Sequence, residues 1–255
     1  MPTLAAFLNL FLGVGLLILA AYGVRRLWQA AVAPRILPWL IAPGIAVHEL
    51  SHALACVLMG AKVHSMVLFR SDGSGEVRHG PPKLKYIGDV VIALAPLAGC
   101  SLCLFLLGLL LRSPVNLYEA SAEGVHANQL TFLWEMAGLV CRDLGMAVQT
   151  TSLLSWRTWV FLYFAVCFTL GMAPSRQDLK NGAAGIVVLT LIVLILHLVV
   201  DRLISARGDG PVFQVIGTAI VKLHYPFAIC AICAILGGLV FAVIVPFRGR
   251  RRIRK

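Results

Sequence analysis

Charged side chains are scarce in this chain, at 13% of 255 residues, about half the share of an ordinary soluble domain. Acidic groups are scarcer still, 11 Asp and Glu against 22 Lys and Arg. That excludes a soluble globular surface. With 60% hydrophobic residues and a mean hydropathy of +0.89, the chain reads as an integral membrane protein. The start has no basic n-region: Met1-Pro2-Thr3 leads straight into an apolar run reaching Tyr22. That run is long enough to cross a bilayer, so a first transmembrane helix is expected in place of a cleavable signal peptide. A disulfide framework is missing too. Cys56, Cys100, Cys103, Cys167, Cys230 and Cys233 fall in apolar stretches, and only Cys141 lies in a more polar one. Even the CxxC-spaced pairs, Cys100 with Cys103 and Cys230 with Cys233, are read as small packing residues.

The net charge of +11 does not point to nucleic acid, because six of the 22 basic residues crowd the last eight positions. Residues 248–255 are read as a basic cytoplasmic tail attracted to anionic lipid headgroups. Hydropathy predicts an all-α polytopic membrane protein, one membrane domain over 1–255, with six spans near 4–22, 36–60, 86–111, 157–173, 182–203 and 225–247. Between the second and third spans, two short extended segments flank Asp72-Gly73-Ser74-Gly75 and predict a small membrane-associated β-hairpin over 62–79. The apolar run 130–148 is broken by Glu135, Arg142 and Asp143 and predicts an interfacial or re-entrant helix rather than a seventh span. Residues 212–224 are expected to lie along the surface. With six spans both termini share a side. A cytoplasmic tail puts thirteen of the 22 basic residues inside, counting those in 61–85, 174–181 and the tail, while Arg25, Arg26 and Arg35 in the first loop count against it. The expected location is multi-pass in a membrane, the cell (inner) membrane if the source is bacterial.

Inside the second predicted span stands His48-Glu49-Leu50-Ser51-His52, an HExxH signature in otherwise apolar sequence. Residues four apart share a helix face, so His48 and His52 can offer two imidazole nitrogens to one metal ion. Glu49, beside that face, can take a proton from a metal-bound water, the division of labour in zinc peptidases. An ionisable residue at bilayer depth costs about 2.5–3.5 kcal/mol on insertion scales, which argues against a chance match here.

A zinc site needs a third protein ligand. The fourth span ends on the side toward which the HExxH helix runs, and Pro174 after it would break the helix and let Asp178 turn back toward the metal. His197 and Asp201, four apart on the fifth span, form a rival pair. His197 lies roughly 22 Å from the cytoplasmic start of that helix at 1.5 Å per residue, so the pair is read as packing or interfacial. His64, His79, His126 and His224 are expected in loops or at surfaces.

The run Pro43 to Ala55 containing the signature, Met59-Gly60-Ala61-Lys62-Val63 after it, the hairpin, Ala93-Leu94-Ala95-Pro96-Leu97-Ala98-Gly99, and Pro174 with Asp178 together resemble the site-2 protease family of intramembrane zinc metalloproteases. The resemblance covers 36–181. It implies a three-span catalytic core, a Zn2+ cofactor held by His48, His52 and Asp178, and Glu49 as the catalytic base. The implied reaction is cleavage of a membrane-protein substrate, typically single-span, within or beside its transmembrane segment. Gln177-Asp178-Leu179 departs from the family pattern in lacking the Leu before and the Gly after the aspartate. Two other classes carry the same histidines: a non-hydrolytic metal-dependent binding or transport protein, and an inactive protease-like scaffold. The intact Glu49 argues against both, since a metal site alone needs no adjacent base.

Overall fold

The computed structural model describes residues 2–70, 73–111, 129–175, 177–182, 188, 218–219 and 222–252. The described chain is mostly helical. In order it forms α1 (Pro2–Ala31), α2 (Leu37–Leu40), α3 (Ala42–Leu58), β1 (Val63–Val67), β2 (Glu76–His79), α4 (Lys85–Leu110), α5 (Gln129–Thr150), α6 (Trp156–Met172) and α7 (His224–Arg252). Among the described residues three helices are long and apolar enough to cross a membrane: Leu8–Ala31, Lys85–Leu110 and His224–Ile244. Helices α3 and α6 are apolar but have 17 residues each, short of the ~20 that cross a bilayer unaided. Most of the predicted span 182–203, including His197 and Asp201, and the loop residue His126 lie outside the described residues, as does most of 212–224.

Two boundaries differ from expectation. Helix α1 continues past Tyr22 to Ala31, so Arg25 and Arg26 belong to a helix and not to a loop. The expected second span, 36–60, is broken at Ile41 (φ −103°, ψ 14°) into α2 and α3. The cause is Pro43, whose missing N–H leaves the Trp39 carbonyl without its helical donor and whose ring crowds the preceding turn.

The other end of α3 is sharply made. Gly60 takes φ +68°, Ala61 donates to the Cys56 carbonyl at 2.8 Å and Gly60 to that of Val57 at 3.1 Å. This is a complete Schellman closure, open to glycine because its missing Cβ removes the left-handed penalty. The chain then enters the hairpin, whose strands pair antiparallel with Met66 opposite Val77 and Val67 opposite Glu76. Its tip docks on α2, with the Phe69 ring edge-on to Trp39 at 4.9 Å between centroids. On β2 Glu76 accepts from Arg70 and from Arg78, the latter at 2.6 Å. Those two guanidiniums, Arg78 foremost, hold its carboxyl below the usual carboxylate range.

Helix α3 packs between α4 and α6, and α1 packs on α7 and α6. The α3–α6 approach depends on two glycines: a Cβ on Gly44 would sit 1.9 Å from the Cys167 carbonyl oxygen, and one on Gly171 2.7 Å from that of Gly44. Small residues that bring backbones together are the ordinary means of packing helices in lipid, where no hydrophobic drive operates between them. A shared apolar core includes Leu17, Leu104, Phe161, Leu170 and Ile229. All seven cysteines are unbridged, and five of them are buried. His224 corrects the sequence reading: it is buried at the start of α7 and meets Asp143 of α5 at 3.2 Å. The charged residue that interrupts the apolar run of α5 thus has an inward partner, as groups removed from water require.

Candidate metal centre

His48 and His52 lie one turn apart on α3, and their Nε2 atoms are 3.2 Å apart. Asp178 comes from the far side of α6. Its two carboxylate oxygens lie 3.6 Å from His48 Nε2 and 3.4 Å from His52 Nε2. The structure therefore brings together the three residues singled out as ligands, in one cluster, with Glu49 buried on the same helix.

Each position has a local cause. The residue before a proline is pushed out of the helical region, and Ala173, preceding Pro174, is extended at φ −68°, ψ 113°. That stops α6 at Met172. A new helical segment covers residues 177–182, and Ser175 caps it: Asp178 N donates to Ser175 Oγ at 3.1 Å, while Ser175 N donates to Asp178 Oδ2 at 2.7 Å. This reciprocal pairing is a capping box with aspartate at its third position. It fixes the carboxylate that faces the histidines.

The same break orients His48. In a continuing helix the Gly171 carbonyl would accept from residue 175, but the Ser175 N–H is engaged by Asp178, and Gly171 O instead pairs with His48 Nδ1 at 2.7 Å. His52 is held likewise. Pro96 inside α4 has no N–H to give to Ile92, and Ile92 O pairs with His52 Nδ1 at 2.8 Å. A carbonyl only accepts, so in each neutral ring Nδ1 carries the proton and Nε2 its lone pair. With both rings neutral, the short Nε2–Nε2 approach is two lone pairs aimed at one point, with a carboxylate beside them. Such an arrangement calls for a cation. Tetrahedral ligands at about 2.0–2.1 Å from Zn2+ lie about 3.3 Å from one another; the two Nε2 atoms, 3.2 Å apart, match that edge, while Asp178 turns a different oxygen to each histidine and the three-ligand set closes within 4.8 Å. Carbonyl-anchored histidines are also the usual outer support of metal ligands.

A pocket of about 280 Å³ opens beside the cluster, lined by His48 and Glu49 of α3, Arg25 and Gln29 of α1, Gly73–Gly75 of the hairpin, Ser175 and apolar residues of α2, α3 and α6. The hairpin loop lies directly on the acid: a Cβ on Gly75 would be 2.3 Å from Glu49 Cγ. His64 is exposed and His79 half-buried on the hairpin, away from the cluster.

Sequence reasoning missed Ser175, the two proline-freed carbonyls and Arg25. Two of these carry readable signals: the S-x-x-D spacing after Pro174, and a proline four residues beyond Ile92 in an otherwise helical run. No protein-family model, curated protein or solved structure matches the chain. What the fold and site define is a helical protein with helices long and apolar enough to cross a membrane and a half-buried His-His-Asp cluster that could hold a metal ion.

Proposed function

We propose that this chain is an intramembrane zinc metalloendopeptidase of the site-2 protease kind, cutting a peptide bond within or next to a transmembrane segment of a membrane-protein substrate. The observation that supports this most is the convergence of three potential ligand atoms, from His48, His52 and Asp178, next to a buried glutamate that lines a pocket. A Zn2+ ion held by these residues would lower the pKa of a water toward neutrality and polarise the scissile carbonyl. Glu49 is the general base that accepts a proton from the attacking water and returns it to the departing amine. The Nδ1 anchors at Gly171 and Ile92 hold the two rings still while this happens.

A transmembrane helix hides its amides in intrahelical hydrogen bonds, so the substrate must unwind first. The hairpin over 62–79 offers an edge strand on which an extended segment can pair, and its loop touches Glu49. The segment 61–85 and the tail 248–255 are assigned to the cytoplasmic side, with the lipid bilayer as the surrounding partner. Co-expression of the full chain with candidate single-span proteins tests the reading. Cleavage that disappears in Glu49→Gln supports it. A protein that keeps its metal and cuts none of them favours a metal-dependent transport protein or an inactive scaffold.

A further inference from the structure

Arg25 sits in the last two turns of α1, just past the apolar run that ends at Tyr22, half-buried, in the wall of the pocket that holds His48 and Glu49. Its neighbour Arg26 is engaged by the Tyr22 hydroxyl. Among the described residues Arg25 itself makes no hydrogen bond or ion pair, although the Asp178 carboxylate acts on it electrostatically. A guanidinium cannot shed its charge, and holding one in a membrane-spanning helix is costly unless it has a partner or faces a wet cavity. Arg25 faces the cavity, and Gln29, one turn along the same helix, adds a second donor at its wall.

The charge balance of the pocket says what is missing. With both histidines neutral, a divalent ion held at the cluster would be offset by the carboxylates of Asp178 and Glu49. Arg25 then leaves one positive charge uncompensated. We propose that Arg25 is a positioning residue that receives a carboxylate of the bound substrate, either an Asp or Glu side chain near the scissile bond or a free C-terminus. The planar guanidinium fork suits two parallel hydrogen bonds to a carboxylate. The substrate segment is therefore not uniformly apolar. It carries one acidic group at a fixed distance from the bond that is cut.

This inference rests on the peptidase reading for the identity of the ligand, and the test separates the two. The zinc-loaded full-length Glu49→Gln protein, in detergent micelles, is titrated with fluorescent apolar peptides that carry a single Asp or Asn walked through successive positions. A second set carries a free or amidated C-terminus. At one position Asp should bind at least ~10-fold tighter than Asn, as expected for a charge-assisted pair. Arg25→Gln should erase that preference and leave both zinc content and the affinity of the Asn peptide within about threefold, while Arg25→Lys should retain part of it. A preference confined to the free C-terminus assigns the carboxylate to a chain end. No preference for either carboxylate in the Glu49→Gln protein overturns the proposal however Arg25→Gln folds, and so does a preference that survives Arg25→Gln. Peptides that bind with the Asp preference but are never cut when Glu49 is intact leave the Arg25 site standing and defeat the peptidase reading. Peptides cut without any such preference do the reverse.

Discussion

Pro96 sets the orientation of His52 through the Ile92 carbonyl. By lacking an N–H, it leaves the Ile92 carbonyl open on the inner face of α4, and that carbonyl pairs with His52 Nδ1 at 2.8 Å. A helix-breaking residue is thereby turned into an anchor for a ligand.

Restoring the amide should undo this. Pro96→Ala supplies an N–H that competes for Ile92 O, so His52 gains freedom. Outer-shell changes of this kind typically cost 10–100-fold in metal affinity, and a loss near the lower end, ~10-fold, is expected because a carbonyl can accept two bonds. Competition against a chromogenic chelator reads it directly. Unchanged affinity would mean that the carbonyl does not steer the ring.

Ser175 supports the third ligand from the other side. Ser175→Ala removes the Oγ that accepts from Asp178 N at 3.1 Å, and loss of such a cap costs about 0.5–2 kcal/mol. Metal affinity should fall several-fold, with Ser175→Thr close to wild type because threonine keeps the hydroxyl. Equal behaviour of the Ala and Thr variants would show that Pro174 alone places Asp178.

How much of this was legible depends on the range of each interaction. The HExxH pair and the hairpin are local patterns, fixed by helix periodicity and by Asp-Gly and Ser-Gly turn chemistry, and both could be read from a few residues. Asp178 was reachable through Pro174, since the break in α6 is also local. The break at Ile41 was signalled by Pro38 and Pro43 but hidden by continuous hydropathy. His224 was misplaced because its partner Asp143 lies 81 positions away and nothing in either local sequence announces the contact. Arg25 looked like a loop cation because hydropathy falls after Tyr22, whereas the helix goes on to Ala31. Only the packing of α1 beside the pocket shows where its charge is spent.

Glu49 and Asp178 should fail differently. Glu49→Gln removes a base but no ligand, so turnover should drop by about 10²–10⁴-fold while bound zinc, read by elemental analysis of purified protein, stays near stoichiometric. Asp178→Ala removes a ligand atom, and zinc affinity should fall by more than the ~100-fold upper range of outer-shell changes, with activity following it. Full zinc occupancy in Asp178→Ala would send the search for a third ligand elsewhere, first to Asp201. Residual Glu49→Gln activity within tenfold of wild type would sink the peptidase mechanism.

The hairpin loop gives the most local test, because Gly75 and Gly80 differ in what a methyl group would meet. A Cβ on Gly75 would stand 2.3 Å from Glu49 Cγ and 2.8 Å from its Oε1, whereas the nearest atom to one on Gly80 is His64 Nε2 at 3.4 Å. Gly75→Ala must therefore displace either the acid or the loop. A shift of about 1 Å at a reacting group costs on the order of 10²-fold in rate, so turnover should fall by that order, while zinc affinity should hold because no ligand or ligand anchor lies in the hairpin. Gly80→Ala should leave both nearly unchanged. The pair is compared by initial rates on one substrate and by chelator competition. If Gly75→Ala turns over like Gly80→Ala, the contact between the loop and Glu49 does not position the acid, and the hairpin serves the pocket only as a cover.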